Sequence, residues 1–481
     1  MEKVNGRKLS LIFIFILILL VIALLVGKLT FSYLGPTLGE DLSNEGEVTA
    51  SGDTLIFTKG SNLSLSATTD NFQTGGSNLS STTNPKVRLI ASSKTNSASA
   101  TYYVGVVINS NSYTYTTSNN TAEVILTIKD ENGNNVTSGV NGLTYVTSGG
   151  VSGFDVTGKT GLFNIKTDYP ISTTSSNTGT THTWTFTLTF VNLGTDQSDN
   201  ENASMDLDVY LQKEKILTLA EHVISQYTGS QGDDSLYYHN STLNNGAGDN
   251  SYRYAGASES VNNYICLGSD ATTCPDANLF RIIGVFGDQT KVIRAKSVGD
   301  QKWHTSDSNT WSSSSLNTYL NGTYLTSLGT LKNKIATTTW KVGGGSWSNI
   351  GTSVPKTAYQ YEVGSNASST TYDAKIGLMY VTDYYYSASP SAWTLVGYNG
   401  SDATKDYRAA KTTNWLYLGS DEWTISRNSD TTSTAFCVNS TGFVSLDSVT
   451  ISYAVRPSFN LESSTTYVSG SGSMSDPVRI K

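Results

Sequence analysis

Charge, proline, histidine and cysteine are all scarce in this chain of 481 residues. Only 15% of its residues are charged and its net charge is -8. The basic surplus with which proteins neutralise phosphates is missing, which argues against a nucleic-acid partner. Three cysteines are too few for a disulfide scaffold. The four histidines, His182, His222, His239 and His304, are too far apart for an HExxH pair. A P-loop, a GxSxG elbow and a GxGxxG following a strand are also missing. So are the DxDxDG calcium loop and the short calcium-binding tripeptides of lectins. The sequence therefore points to no metal, no cofactor and no catalytic motif.

Aromatic residues are abundant, with 28 tyrosines, 14 phenylalanines and 8 tryptophans. Disordered low-complexity chains are poor in such residues. The remainder is dominated by Ser, Thr, Asn and Gly, which reads as folded β-structure joined by polar turns.

A single long apolar run, Leu9 to Gly27, carries no charge. As a helix it would span roughly 28 Å, close to a bilayer core of about 30 Å. Lys3, Arg7 and Lys8 precede it, whereas Glu40, Asp41, Glu45 and Glu47 follow. This predicts a single-pass anchor in the cell membrane, with residues 1–8 cytoplasmic and the bulk of the chain outside. The rival is a cleaved signal peptide, whose small-x-small site is not seen.

The remaining chain divides by periodicity. Residues 28–47 read as a linker. Residues 48–212 contain short period-two segments such as AEVILTIKD and TWTFTLTFVNL, separated by turns at Asn132-Gly133 and Asn141-Gly142. They predict an all-β, Ig-like sandwich. In residues 213–235, Ile216, Leu219, Ala220, Val223, Ile224 and Tyr227 fall on one helical face, with His222 off that face and exposed. Residues 236–481 read as an α+β ligand-binding domain. It has a hairpin turning at Gly287-Asp288, a serine-capped helix around Leu316 and Leu320, and a buried strand from Ala374 running into an aromatic loop at Tyr384. NWLYLGS, EWTISR, AFCVNS and GFVSL read as strands.

Cys266 and Cys274 bracket a turn-rich stretch and pair readily outside the cell. Closing that loop stabilises by about 2–3 kcal/mol in the chain-entropy model. Cys437 is left over. From Asp383 to Ser452 the loops are composed of Tyr, Trp, Ser, Thr, Asn and Gly, the palette of antibody paratopes. The candidate ligand-binding residues are Tyr384, Tyr385, Tyr398, Asn399, Asp402, Asn414, Arg427, Asn439, Ser440 and Asp447. Trp423 reads as core. Arg456 reads as a buried ion-pair partner or backbone donor, and Pro457 as a residue at a strand edge or end.

LFRIIGVFGDQTKVIRAKSVG, KIGLMYVTDYYYSASPSAW and YAVRPSFNLESSTTYVSGSGSMSDPVRIK resemble an uncharacterised family of bacterial surface domains. That family often follows a membrane anchor and an Ig-like region. A weaker similarity is to C-type-lectin-like variable proteins, some diversified by retroelements that rewrite adenines. That similarity implies a scaffold of Phe436, Val438, Gly442, Phe443, Tyr453, Val455, Arg456 and Pro457. Strand alternation then places Cys437, Asn439, Ser440, Ser445, Asp447 and Thr450 outward. The leading expectation is a non-enzymatic, membrane-anchored surface binding or adhesion protein with a glycan or protein ligand. The alternatives are a glycan-cleaving enzyme using Asp402, Asp421 or Glu422, and a structural coat protein.

Overall fold

The computed structural model describes residues 45–50, 52–395 and 412–480. Among these residues no helix is long and apolar enough to cross a membrane. The expected span at 9–27 and the tail before it lie outside the described residues, as do Tyr398, Asn399 and Asp402.

The alternating segments of the first half form three sandwich-like antiparallel sheets. Strand Thr185–Phe190 shows the logic. Phe186, Leu188 and Phe190 are fully buried, while Thr185 and Thr187 stay half-exposed. Its neighbour Val124–Lys129 contributes Val124, Leu126 and Ile128 to the same core. The sheets are consistent with the expected Ig-like arrangement. Trp184 seals the core, its indole N–H donating to Tyr102 Oη at 2.8 Å.

One core cluster runs from Leu55 to Val209 and another from Leu219 to Val478. Between them Thr218 caps the helix Leu219–Ser225. Its hydroxyl accepts from the Glu221 amide at 3.1 Å, and the Glu221 carboxylate accepts from the Thr218 amide at 2.9 Å. Ile216, expected on that helix, instead packs against Val107 and Tyr210 of the sandwich. His222 is half-buried, not exposed. Its ring stacks on Tyr467 at 3.5 Å, and burial pushes its pKa down to about 4.

The second half corrects the α+β, lectin-like expectation, because it is mostly β-sheet. Among the described residues its helices are short, the longest being the eight residues Pro355–Glu362. A six-stranded sheet contains the expected hairpin, Leu279–Phe286 with Gln289–Arg294, turned at Gly287 with φ 65°. Strand Ser458–Asn460 returns to pair with Gln289–Arg294. A five-stranded sheet runs Asp300–Lys302, Ser452–Ala454, Glu422–Arg427, Thr434–Val438, Val444–Ser448. NWLYLGS forms turns, not a strand.

The segment read as an aromatic loop is the helix Val381–Ser387, buried at every position. Two carboxylates satisfy its first-turn amides. Asp383 Oδ2 accepts from the Tyr380 N–H at 2.8 Å, and Glu362 accepts from Val381 and Thr382 at 2.9 and 2.8 Å.

Candidate binding surface

Helix Val381–Ser387 turns Tyr384 and Tyr385 into the core, where both are fully buried. Their hydroxyls donate to the carbonyls of Gly442 at 2.6 Å and Ile350 at 3.0 Å. They are core anchors, not ligand contacts. Their polar sequence neighbours suggested exposure, but those neighbours serve as caps and buried hydrogen-bond partners. Asn414 is buried too. Its amide donates to the Tyr384 carbonyl at 2.8 Å, and its Oδ1 accepts from Ser387 Oγ at 2.6 Å and the Leu416 N–H at 2.9 Å. Arg427, half-buried, donates through Nε to the Gly343 carbonyl at 2.9 Å and through Nη1 to Asn309 at 3.3 Å.

Cys437 is also corrected. Strand Thr434–Val438 lies between two other strands and four of its five residues are buried. One face meets the core at Phe436. On the other, Cys437 is in register with Trp423, whose ring packs against Tyr453 at 4.8 Å. Alternation assumes one wet face, and this strand has none. Burial pushes the thiol pKa strongly up, with Asp447 and Asp421 adding to it. Trp423 is fully buried. Arg456 is buried against Glu422, with Nε–Oε1 at 2.7 Å and Nη2–Oε2 at 2.8 Å. Pro457 is buried at the start of a strand, its carbonyl accepting from the Arg294 N–H at 3.0 Å. Cys266 and Cys274 form a disulfide.

Asn439, Ser440 and Asp447 share the hairpin of Thr434–Val438 and Val444–Ser448, but Asn439 and Ser440 lie at its turn and Asp447 lies toward its open end, opposite Ala435. The turn is closed by the Gly442 N–H donating to the Asn439 carbonyl at 2.8 Å, with Gly442 at φ 95°. Asn439 Oδ1 accepts from the Thr441 N–H at 2.6 Å and its hydroxyl at 2.7 Å. The Ser440 N–H donates to Asp421 Oδ1 at 2.8 Å, and Tyr417 Oη donates to the Ser440 carbonyl. Tyr453 donates to Asp447 Oδ2, and burial, then that bond, pushes its pKa up.

The result is a polar rim with Ser440 exposed and Tyr417, Asp421, Asn439, Asp447 and Tyr453 half-buried. It offers carboxylate acceptors, an amide and two phenols, held in two groups, Tyr417 and Asp421 on the Ser440 backbone and Tyr453 on Asp447. Tyr417 and Tyr453 were missed as site residues. The only available signal was their proximity to a polar hairpin, which one sequence does not show.

A second feature was also missed. Arg253, Lys291, Asp383 and Glu362 are all buried near one another. Lys291 Nζ lies 2.6 Å from Asp383 Oδ2, and Arg253 Nη1 lies 3.7 Å from Asp383 Oδ1. Arg253 Nη2 also holds Asp249 at 2.6 Å. Burial lowers the Lys291 pKa and raises that of Glu362. His239 is buried beside Tyr386 and Trp393, and burial, then Arg253, pushes its pKa well down. Among the described residues no cluster of three or more His, Cys, Asp or Glu is placed to hold a metal.

Residues 287–463 match the model of a domain of unknown function, DUF6273. The matched stretch contains the whole rim and both Lys291 and Asp383. No curated protein and no solved structure matches the chain.

Proposed function

We propose that this chain is a non-enzymatic surface binding protein that works outside the reducing cytoplasm. Its first half is read as an Ig-like spacer. Its second half presents the rim of Tyr417, Asp421, Asn439, Ser440, Asp447 and Tyr453 to a polar ligand, for which a glycan is the best chemical fit. The observation that carries this reading is the preorganised set of carboxylates and phenols on one hairpin and its neighbours. Acceptors fixed before binding lose little freedom when sugar hydroxyls meet them, and phenols supply area with few torsions to freeze. The Cys266–Cys274 bond supports an oxidising location. The resemblance to bacterial surface domains supports display on a cell.

The glycan-cleaving alternative loses Glu422, because both of its oxygens are held by buried Arg456. The test is a glycan array, with a protein array beside it, probed with the whole protein. Binding to a defined set of glycans is the expected result. Binding only on the protein array would replace the ligand class, and failure of the folded protein on both would overturn the reading.

A further inference from the structure

Lys291 is the one fully buried lysine among the described residues. It sits on strand Gln289–Arg294, and its partner Asp383 sits 92 residues further on, in the first turn of helix Val381–Ser387. The ammonium is 2.6 Å from Asp383 Oδ2, with the side chains 6% and 3% exposed. Aromatic rings close the site, with the centroids of Tyr380, Trp340 and Phe286 at 4.5, 5.3 and 5.8 Å from Nζ. Glu362, also buried, is bonded to the adjacent Val381 and Thr382 amides, and Lys291 feels its charge.

Two opposite charges enclosed in this way carry a large desolvation penalty that their attraction only partly offsets. A covalent amide in the same place is neutral, and it leaves an oxygen facing Arg253. We propose that Lys291 Nζ and Asp383 Cγ join in an intramolecular amide bond that ties the sheet to the helix.

The step balances without any oxidant or co-reactant. The ammonium gives one proton to Asp383 Oδ2, leaving a neutral amine and a neutral acid. The nitrogen lone pair attacks Cγ, forming the C–N bond, while the negative charge gathers on Oδ1, which faces Arg253 at 3.7 Å. A second proton leaves the nitrogen for Oδ2, the C–Oδ2 bond breaks, and one water departs. Burial favours the reactive neutral amine at Lys291.

Intact-mass spectrometry of the denatured whole protein tests this directly. With the disulfide counted, the wild type is expected to be lighter than its sequence by one water. A tryptic digest is expected to contain one branched peptide linking the segments around residues 291 and 383. Asp383→Asn is expected to reach the same final mass as the wild type, by losing ammonia. Lys291→Arg is expected to keep its full sequence mass. A wild type with no missing water overturns the proposal, and so does a Lys291→Arg protein that still lacks one.

Discussion

Glu123 in the first half and Glu422 in the second are buried in opposite ways, although each half also holds an acid of the other kind, Asp208 beside Lys59 and Glu362 among neutral donors. In the sandwich Glu123 is fully buried with neutral partners. Its oxygens accept from the Thr116 N–H and hydroxyl and from the amides of Gln197 and Asn200. In the second half Glu422 and Asp383 face cations, Arg456 for one and Lys291 with Arg253 for the other. A regular sandwich places hydroxyls and amides on its loops close to a buried acid. The second half has short strands and short helices, and its buried charges join segments distant in sequence, such as Glu422 and Arg456 or Lys291 and Asp383. Both modes tie remote elements together, since Glu123 reaches Gln197 and Asn200 across 74 and 77 residues and Glu422 reaches Arg456 across 34; what differs is whether the partners are neutral or charged.

The sharpest way to break this contrast is to remove one partner from each half. Arg456→Met leaves Glu422 buried and unpaired and should cost about 3–5 kcal/mol in chemical denaturation. Glu123→Gln keeps the shape in the sandwich but turns an amide N–H toward other donors, and should cost less, about 1–3 kcal/mol. Equal losses would erase the distinction. Cys437→Ser places a hydroxyl in a dry site between strands and should cost about 1–3 kcal/mol. In the native wild type the thiol should resist alkylating reagents and react only after unfolding.

Acid adds a smaller effect at the junction of the halves. The pKa of His222 is lowered from 6.5 to about 4 in the folded protein, so between those values the unfolded chain binds more protons. Its contribution to stability is complete above about pH 6.5 and is lost as the pH falls toward 4. His222→Gln should flatten the pH dependence of the thermal midpoint in that window, and an unchanged slope would count against the stacked, neutral ring. The smallest effect on folding belongs to the rim. Asn439→Ala and Ser440→Ala should change stability by no more than about 0.5 kcal/mol.

Much of the sandwich was legible because its strands have one wet face, so TFTLTF alternates in sequence as it does in space. The hairpin at Gly287-Asp288 was legible for the same reason as its turn chemistry, since only a glycine sits easily at that φ. The second half misled where strands and helices are covered on every side. Val381–Ser387 has no polar face to set a helical period, and its tyrosines resemble loop residues until their hydroxyls are seen bonded to carbonyls. Cys437 failed for the same reason. Arg456 was recognisable as a buried cation because it interrupts an apolar strand. Lys291 in TKVIR interrupts one equally and was passed over. The rim was half-legible: Asn439, Ser440 and Asp447 lie in one short stretch, but Tyr417 and Asp421 reach it only through folding.

The most direct measurement of the central claim compares ligand binding by the whole wild-type protein with that of an Asp421→Asn, Ser440→Ala, Asp447→Asn triple variant. Titration of a glycan identified on the array should show binding to the wild type and at least a tenfold weaker constant for the variant, with the fold intact by circular dichroism. Equal affinity of the two proteins would show that the ligand sits elsewhere and would contradict the account.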